Sequence, residues 1–141
     1  MSNKLFNGGS YSMETIALLL SSLLFGGMTL YSFGFAAFVF SALPPELSGQ
    51  TIRQAFPHFY VFVFLTSIVS AVLFYFLDPI AAAVMAIIAV TTVPTRQLLM
   101  PAINLASDNG AKQKFKILHS LSVFITLSQI IGCGYILARY V

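Results

Sequence analysis

The sequence predicts an all-α membrane protein, an antiparallel bundle of four transmembrane helices. Three observations predict it. Of the 141 residues, 58% are hydrophobic and only 8% are charged, where a soluble domain carries about a quarter charged residues. The apolar residues gather into four runs, each reaching the ~20 residues that cross a bilayer as a helix. The basic residues sit at the ends of those runs rather than in one patch. A formal net charge of +3 therefore points to lipid headgroups and not to nucleic acid. The length allows one integral membrane domain, 1–141, and a single Cys133 excludes an internal disulfide.

Residues Met1 to Met13 are polar and read as a leader at the interface, with Ser12 as a helix N-cap. Glu14 then lies in the first turn, where the helix dipole favours an acid. A cleaved signal peptide fits less well, because Lys4 is the only basic residue before an apolar run that extends to Leu43. The first span covers about 15–43. Ser22, Gly26, Thr29 and Ala36 share one of its faces and suit close helix packing.

Pro44-Pro45 ends that span. Glu46 to Gln50 reads as a connection broken by Gly49, and Thr51-x-x-Gln54 as a capping box for the second helix. The second span covers about 54–77, with a bend at Pro57 and with Thr66, Ser67 and Ser70 as its mid-membrane polar groups. Asp78-Pro79 is a very short turn, so spans two and three pack as antiparallel neighbours. The third span covers about 79–100. Ala82, Ala86 and Ala89 form a small-residue face, and Pro94 and Pro101 kink or break its far end. Thr95 to Ala106 continues as helix past the membrane. Ser107-Asp108-Asn109-Gly110 is a turn by composition, and the fourth span covers about 114–139.

Four spans place both termini on one side. Loops one and three hold Arg53, Arg96, Lys112, Lys114 and Lys116, whereas the other side holds Lys4 and Arg139. The excess of positive charge puts loops one and three in the cytoplasm and both termini on the non-cytoplasmic side, in a membrane of bacterial inner-membrane type. Arg53, Arg96, Lys112, Lys114, Lys116 and Arg139 are the expected interface anchors.

The fourth span carries the most informative pattern. His119, Ser122, Thr126, Gln129 and Cys133 recur every three or four residues and share one helix face. In lipid such groups turn toward other helices, where they either bond between helices or line a small polar pocket. His58 and His119 lie at similar depth from the same boundary and are the candidate ligands of a haem iron or a metal. Two ligands are too few for a closed zinc site, so no dedicated metal site is expected. No Asp, Glu, Lys or Arg occupies mid-span, which argues against a proton-driven transporter. No acid is placed to orient His119 toward Ser120 or Ser122, which argues against acyl transfer. The four carboxylates Glu14, Glu46, Asp78 and Asp108 read as solvated or headgroup-level charges.

Phe40-x-x-Leu43, Phe56-Pro57 and His119-x-x-Ser122, in that order along the chain, resemble three signatures of the transmembrane protein 205-like family of small four-span proteins. Phe59 stands where that family favours Tyr, and Thr126 where it favours Asn. The resemblance implies four transmembrane helices and no established enzymatic activity; some relatives are linked to tolerance of toxic metal compounds. The expected function is a non-enzymatic accessory or stabilising subunit of a larger membrane complex, in contact with the bilayer and with other integral membrane proteins. The alternative is a haem, metal or small-ligand binder using the polar face of the fourth helix.

Overall fold

Eight helical segments follow one another in this computed structural model, which describes the backbone of residues 3–141 and the side chains of residues 11–141. They are α1 (Asn3–Thr29), a π-helical segment (Leu30–Phe35), α2 (Ala36–Ala42), α3 (Pro45–Tyr75), α4 (Pro79–Pro94), a second π-helical segment (Thr95–Leu99), α5 (Met100–Asp108) and α6 (Lys112–Ala138). The π-helical segments join their neighbours without a break. Four continuous spans result, each long and apolar enough to cross a membrane: Tyr11–Ala42, Pro45–Tyr75, Pro79–Asp108 and Lys112–Ala138. No strand occurs among the described residues.

The spans close a ring in chain order: α1 packs on α3, α3 on α4, α4 on α6 and α6 back on α1. Leu24, Met28, Val63, Phe74, Met85, Ile88 and Ile136 fill the centre. Leu30, Phe38, Leu65, Val90 and Ile131 point outward and exposed, as side chains meeting lipid must. Lipid tails are as apolar as these residues, so burial alone drives little association. Close van der Waals packing and hydrogen bonds between helices hold such a bundle together.

Local chemistry sets the ends of the spans. Leu43 is extended (φ −116°, ψ 149°), the conformation a following proline imposes. Pro45 then occupies the first turn of α3, where its missing N–H costs nothing. Asp78 caps α4, its Oδ1 accepting from Ile80 N at 2.9 Å and Ala81 N at 3.2 Å. The turn into α6 is a Schellman motif. Gly110 takes φ +65°, Ala111 N donates to Ala106 O at 2.9 Å, and Gly110 N donates to Ser107 O at 3.1 Å.

Several expectations need correction. Ser12 caps nothing, because α1 starts at Asn3 and runs through it; the part of the leader reading that rests on Met1, Ser2 and the Lys4 side chain lies outside the described residues. The capping box at Thr51 does not form. Helix α3 already starts at Pro45, and Thr51 Oγ1 donates back to Leu47 O at 2.8 Å. One internal Gly49 costs a helix only ~1 kcal/mol, too little to stop a span begun by Pro45 and Glu46. The buried face of α1 is Ala17, Ser21, Leu24 and Met28, about 125° from the expected one. Ser22 and Gly26 are exposed. The third span runs on to Asp108, and Pro94 loosens it into the π-helical segment instead of breaking it.

Candidate functional site

A cleft of about 450 Å³ opens between the first and fourth spans, at the end of the bundle that carries loops one and three. Four stretches of sequence build it. The π-helical segment and α2 contribute Ser32, Phe33, Ala36 and Phe40. Helix α3 contributes Gly49, Ile52, Arg53, Phe56 and Tyr60; Gly49, Arg53, Phe56 and Tyr60 recur every three or four residues on one face, with Ile52 at its edge. Helix α5 contributes Ile103, Asn104 and Ser107, and α6 contributes Phe115, His119, Ser122, Val123, Thr126, Leu127 and Ile130. Toward the opposite end the first and fourth spans pack tightly, with Cys133 Sγ donating to Ser21 O at 3.3 Å and Phe25 lying against Gly134. The cleft is the space left where they separate.

Its walls are apolar and its loop end is polar. Phe56 sits in an aromatic cluster in which Tyr31 stacks on Phe59 with centroids 4.9 Å apart, and Tyr31 meets Phe56 edge-on at 5.5 Å. At the loop end an Arg53 guanidinium nitrogen pairs with Asp108 Oδ1 at 2.6 Å and reaches Asn104 O at 3.4 Å. His119 is exposed and stacks on Phe115, centroids 5.5 Å apart. Deeper in, Ser32 Oγ is buried and has no hydrogen-bond partner among the described residues. Ser21, Thr29, Ser41, Thr51 and Ser67 each bond a carbonyl three or four residues back. Ser32, in the π-helical segment, and Ser70, in the core of α3, make no such bond; of the two only Ser32 lines the cleft.

The polar face of α6 serves two purposes. Gln129 and Cys133 are buried in the bundle. Gln129 Nε2 donates to Thr91 Oγ1 at 2.8 Å, Thr92 Oγ1 at 3.2 Å and Ile88 O at 3.4 Å, tying the fourth span to the third. His119, Ser122 and Thr126 line the cleft instead. Ser122 is nearly buried and donates to His119 O at 2.8 Å, while Ser128, outside the face, is exposed. His58 is exposed and lines none of this cleft. Two residues beyond Phe56, it points about 200° away around α3. No group of three or more His, Cys, Asp or Glu gathers among the described residues.

The interface anchors also differ in what they touch. Arg96 Nε donates to Pro57 O at 3.3 Å, crossing from the third span to the second. Lys112, Lys114 and Lys116 are exposed at the start of α6. Arg139 pairs with Asp78 Oδ2 at 3.3 Å at the opposite end of the bundle. Asp78, read from sequence as solvated, has a side chain only 14% exposed. The Tyr140 hydroxyl donates to its Oδ2 at 3.3 Å. Burial first, and then the Asp78 charge, push the Tyr140 phenol up from its ordinary value.

A second concavity, about 1110 Å³, runs along the outside of α3 and α4 between Phe64 and Tyr75 on one side and Pro79 and Pro94 on the other. Ala82, Ala83, Ala86 and Ala89 form its floor, with no charged residue in its lining. The alanine face expected in the third span is thus largely an open groove. Sequence reasoning missed Ser32, Asn104 and Ser107 at the cleft. Ser32 has one polar neighbour at helical spacing, Thr29, and that residue reads with Ser22 and Gly26 as part of a packing face. The run Gly49, Ile52, Arg53, Phe56 and Tyr60 did carry a signal, hidden by the reading of 46–50 as a loop.

Residues 19–112 match the model of a family described as a domain of unknown function (DUF4149). No curated protein and no solved structure matches the chain.

Proposed function

This chain belongs to that family of unknown function (DUF4149), and from that premise we propose that it is a non-enzymatic accessory subunit which stabilises a larger membrane complex. The observation that carries the reading is the uncharged groove on α3 and α4. Its alanine floor lets a foreign helix approach closely, which is how helices associate in lipid. The connections between spans are only a few residues long, so most of the surface offered to a partner lies in the membrane plane. The occupant is an apolar transmembrane helix of another protein.

Two finer assignments belong to the same proposal. Phe40-x-x-Leu43 and Phe56-Pro57 fall inside the matched residues 19–112, which supports placing the chain with the transmembrane protein 205-like proteins. The charge distribution supports cytoplasmic loops one and three, with both termini on the non-cytoplasmic side; the membrane we assign is a bacterial inner membrane.

The test is photocrosslinking in the native membrane from a reactive side chain placed at Ala86, combined with the groove-filling Ala86→Phe. The reading expects one discrete protein adduct from Ala86, and loss of co-migration with that partner on native gels when Ala86→Phe is introduced. Adducts to lipid alone, with the 15.3 kDa chain migrating by itself, would refute it.

A further inference from the structure

We propose that the cleft between the first and fourth spans is a binding site for an acidic phospholipid, with one acyl chain inside it and the phosphate at Arg53. The site goes beyond the accessory-subunit reading and does not depend on it. Three independent features assign it.

The first is its shape. About 450 Å³ lies within the range of ligand pockets. Along α6 the lining extends from Phe115 to Ile130, or ~22 Å at the helical rise. It therefore follows much of the ~30 Å hydrocarbon layer in the direction an acyl chain takes. Phe33, Phe40 and Val123 at its edges are exposed, so the cleft opens sideways, where a lipid in the same leaflet enters without crossing water.

The second is its charge. Arg53 uses one terminal nitrogen, NH2, for both Asp108 and Asn104. Its other nitrogens make no hydrogen bond among the described residues and remain available to a phosphate, which guanidinium groups bind in forked geometry. His119 adds a ring N–H donor at the same end. Lys112, Lys114 and Lys116 begin the helix that forms this wall, and they favour an anionic headgroup over a zwitterionic one.

The third is the orphan hydroxyl of Ser32. A buried hydroxyl without a partner is costly, and this one lies in the cleft lining on a π-helical segment, a form of backbone common at functional sites. An ester carbonyl between headgroup and acyl chain supplies the acceptor it lacks.

The experiment measures lipid retention by native mass spectrometry on the full chain, released from defined micelles containing dioleoyl phosphatidylglycerol, dioleoyl phosphatidylcholine or oleate. Thermal unfolding with inorganic phosphate alone runs in parallel. Phosphatidylcholine carries the same phosphate but offsets its charge with choline, and a basic residue near the surface favours a net anionic headgroup by roughly fivefold, so phosphatidylglycerol should bind ~5-fold tighter than phosphatidylcholine. Arg53→Gln should weaken both phospholipids, which share the phosphate, by ~10-fold, whereas Asp108→Asn, which breaks the same ion pair but keeps the cation, should not. Ala36→Phe, filling the cleft, should abolish retention. Gly49→Leu places a smaller filler where a Cβ meets nothing within 4 Å and should weaken retention in a chain that still folds. Equal retention of the two phospholipids overturns the proposal. So does parallel loss in Arg53→Gln and Asp108→Asn, or unchanged retention when the cleft is filled. Oleate bound as tightly as phosphatidylglycerol overturns the phospholipid assignment, and inorganic phosphate stabilising the chain as much as the lipid does overturns the acyl-chain half.

Discussion

Gly26 and Gly27 are adjacent on α1, yet alanine at the two positions should have opposite effects. A Cβ on Gly27 would lie 2.7 Å from Phe62 Cε1 and 2.8 Å from Phe62 Cζ, well inside van der Waals contact. On Gly26 it would meet nothing within 4 Å. Alanine gains ~0.8–1 kcal/mol over glycine in a helix interior, and Gly26→Ala should realise most of that. At Gly27 the same gain is opposed by overpacking, which typically costs 1–3 kcal/mol. Phe62 is only half-buried, so its ring can yield in part and Gly27→Ala should end about 1 kcal/mol less stable than the wild type. The two variants should therefore differ by ~2 kcal/mol, roughly a thirtyfold change in the folding equilibrium. Reversible unfolding in mixed micelles, followed by circular dichroism, reads this directly. In a Phe62→Ala background Gly27→Ala should become stabilising, because the clash is gone. If Gly27→Ala is as stable as Gly26→Ala in the wild-type background, Phe62 does not cover Gly27 and α1 packs on α3 in a different register.

Three further outcomes follow from the geometry. Gln129→Leu should cost about 1 kcal/mol, since an interhelical hydrogen bond in lipid averages ~0.6 and reaches ~1.7 kcal/mol. Thr91 and Thr92 keep their own carbonyl bonds to Ile87 and Ile88, so a double-mutant cycle with Thr91→Val should return a coupling of similar size. Asp78→Ala removes the α4 cap and the contacts to Arg139 and Tyr140 and should destabilise by ~1–2 kcal/mol; Asp78→Asn, which can still cap, should cost less in the same unfolding assay. Because the folded-state Tyr140 phenol is raised above 10.0, the folded chain holds that proton longer than the unfolded chain. Its contribution to stability should be fully present below pH ~10 and be lost as pH rises from there through the folded value. Tyr140→Phe should flatten that loss, and a difference ultraviolet titration against the wild type should show the high-pH phenol missing.

Much of the fold was legible because lipid imposes one rule, that backbone polar groups be satisfied within each helix. The four spans and the Asp78-Pro79 turn followed from that rule and from local cap chemistry. The beginning of the second helix was misread because Gly49 and Thr51-x-x-Gln54 are locally plausible signals, and a helix already running from Pro45 overrides both. The face of α1 was misassigned for a different reason. In a span apolar on every side, small residues mark close approach and open surface equally well, and only the partner, here Phe62 over Gly27, decides between Gly26 and Gly27. At the candidate site, the face of α6 could be read from its spacing. Its division into a buried tie at Gln129 and a cleft lining at His119, Ser122 and Thr126 could not, because it depends on where the first span leaves the fourth.

The central claim is that the polar face of the fourth span turns toward the other helices, with Cys133 buried against Ser21. Cys133 is the chain's single cysteine, so one introduced thiol tests the claim in intact membranes. Under copper-phenanthroline oxidation Ser21→Cys should form an intramolecular link to Cys133, and Leu19→Cys, on the exposed side of α1, should not. Linking from position 19 as efficient as from 21, or none from either, would contradict the account.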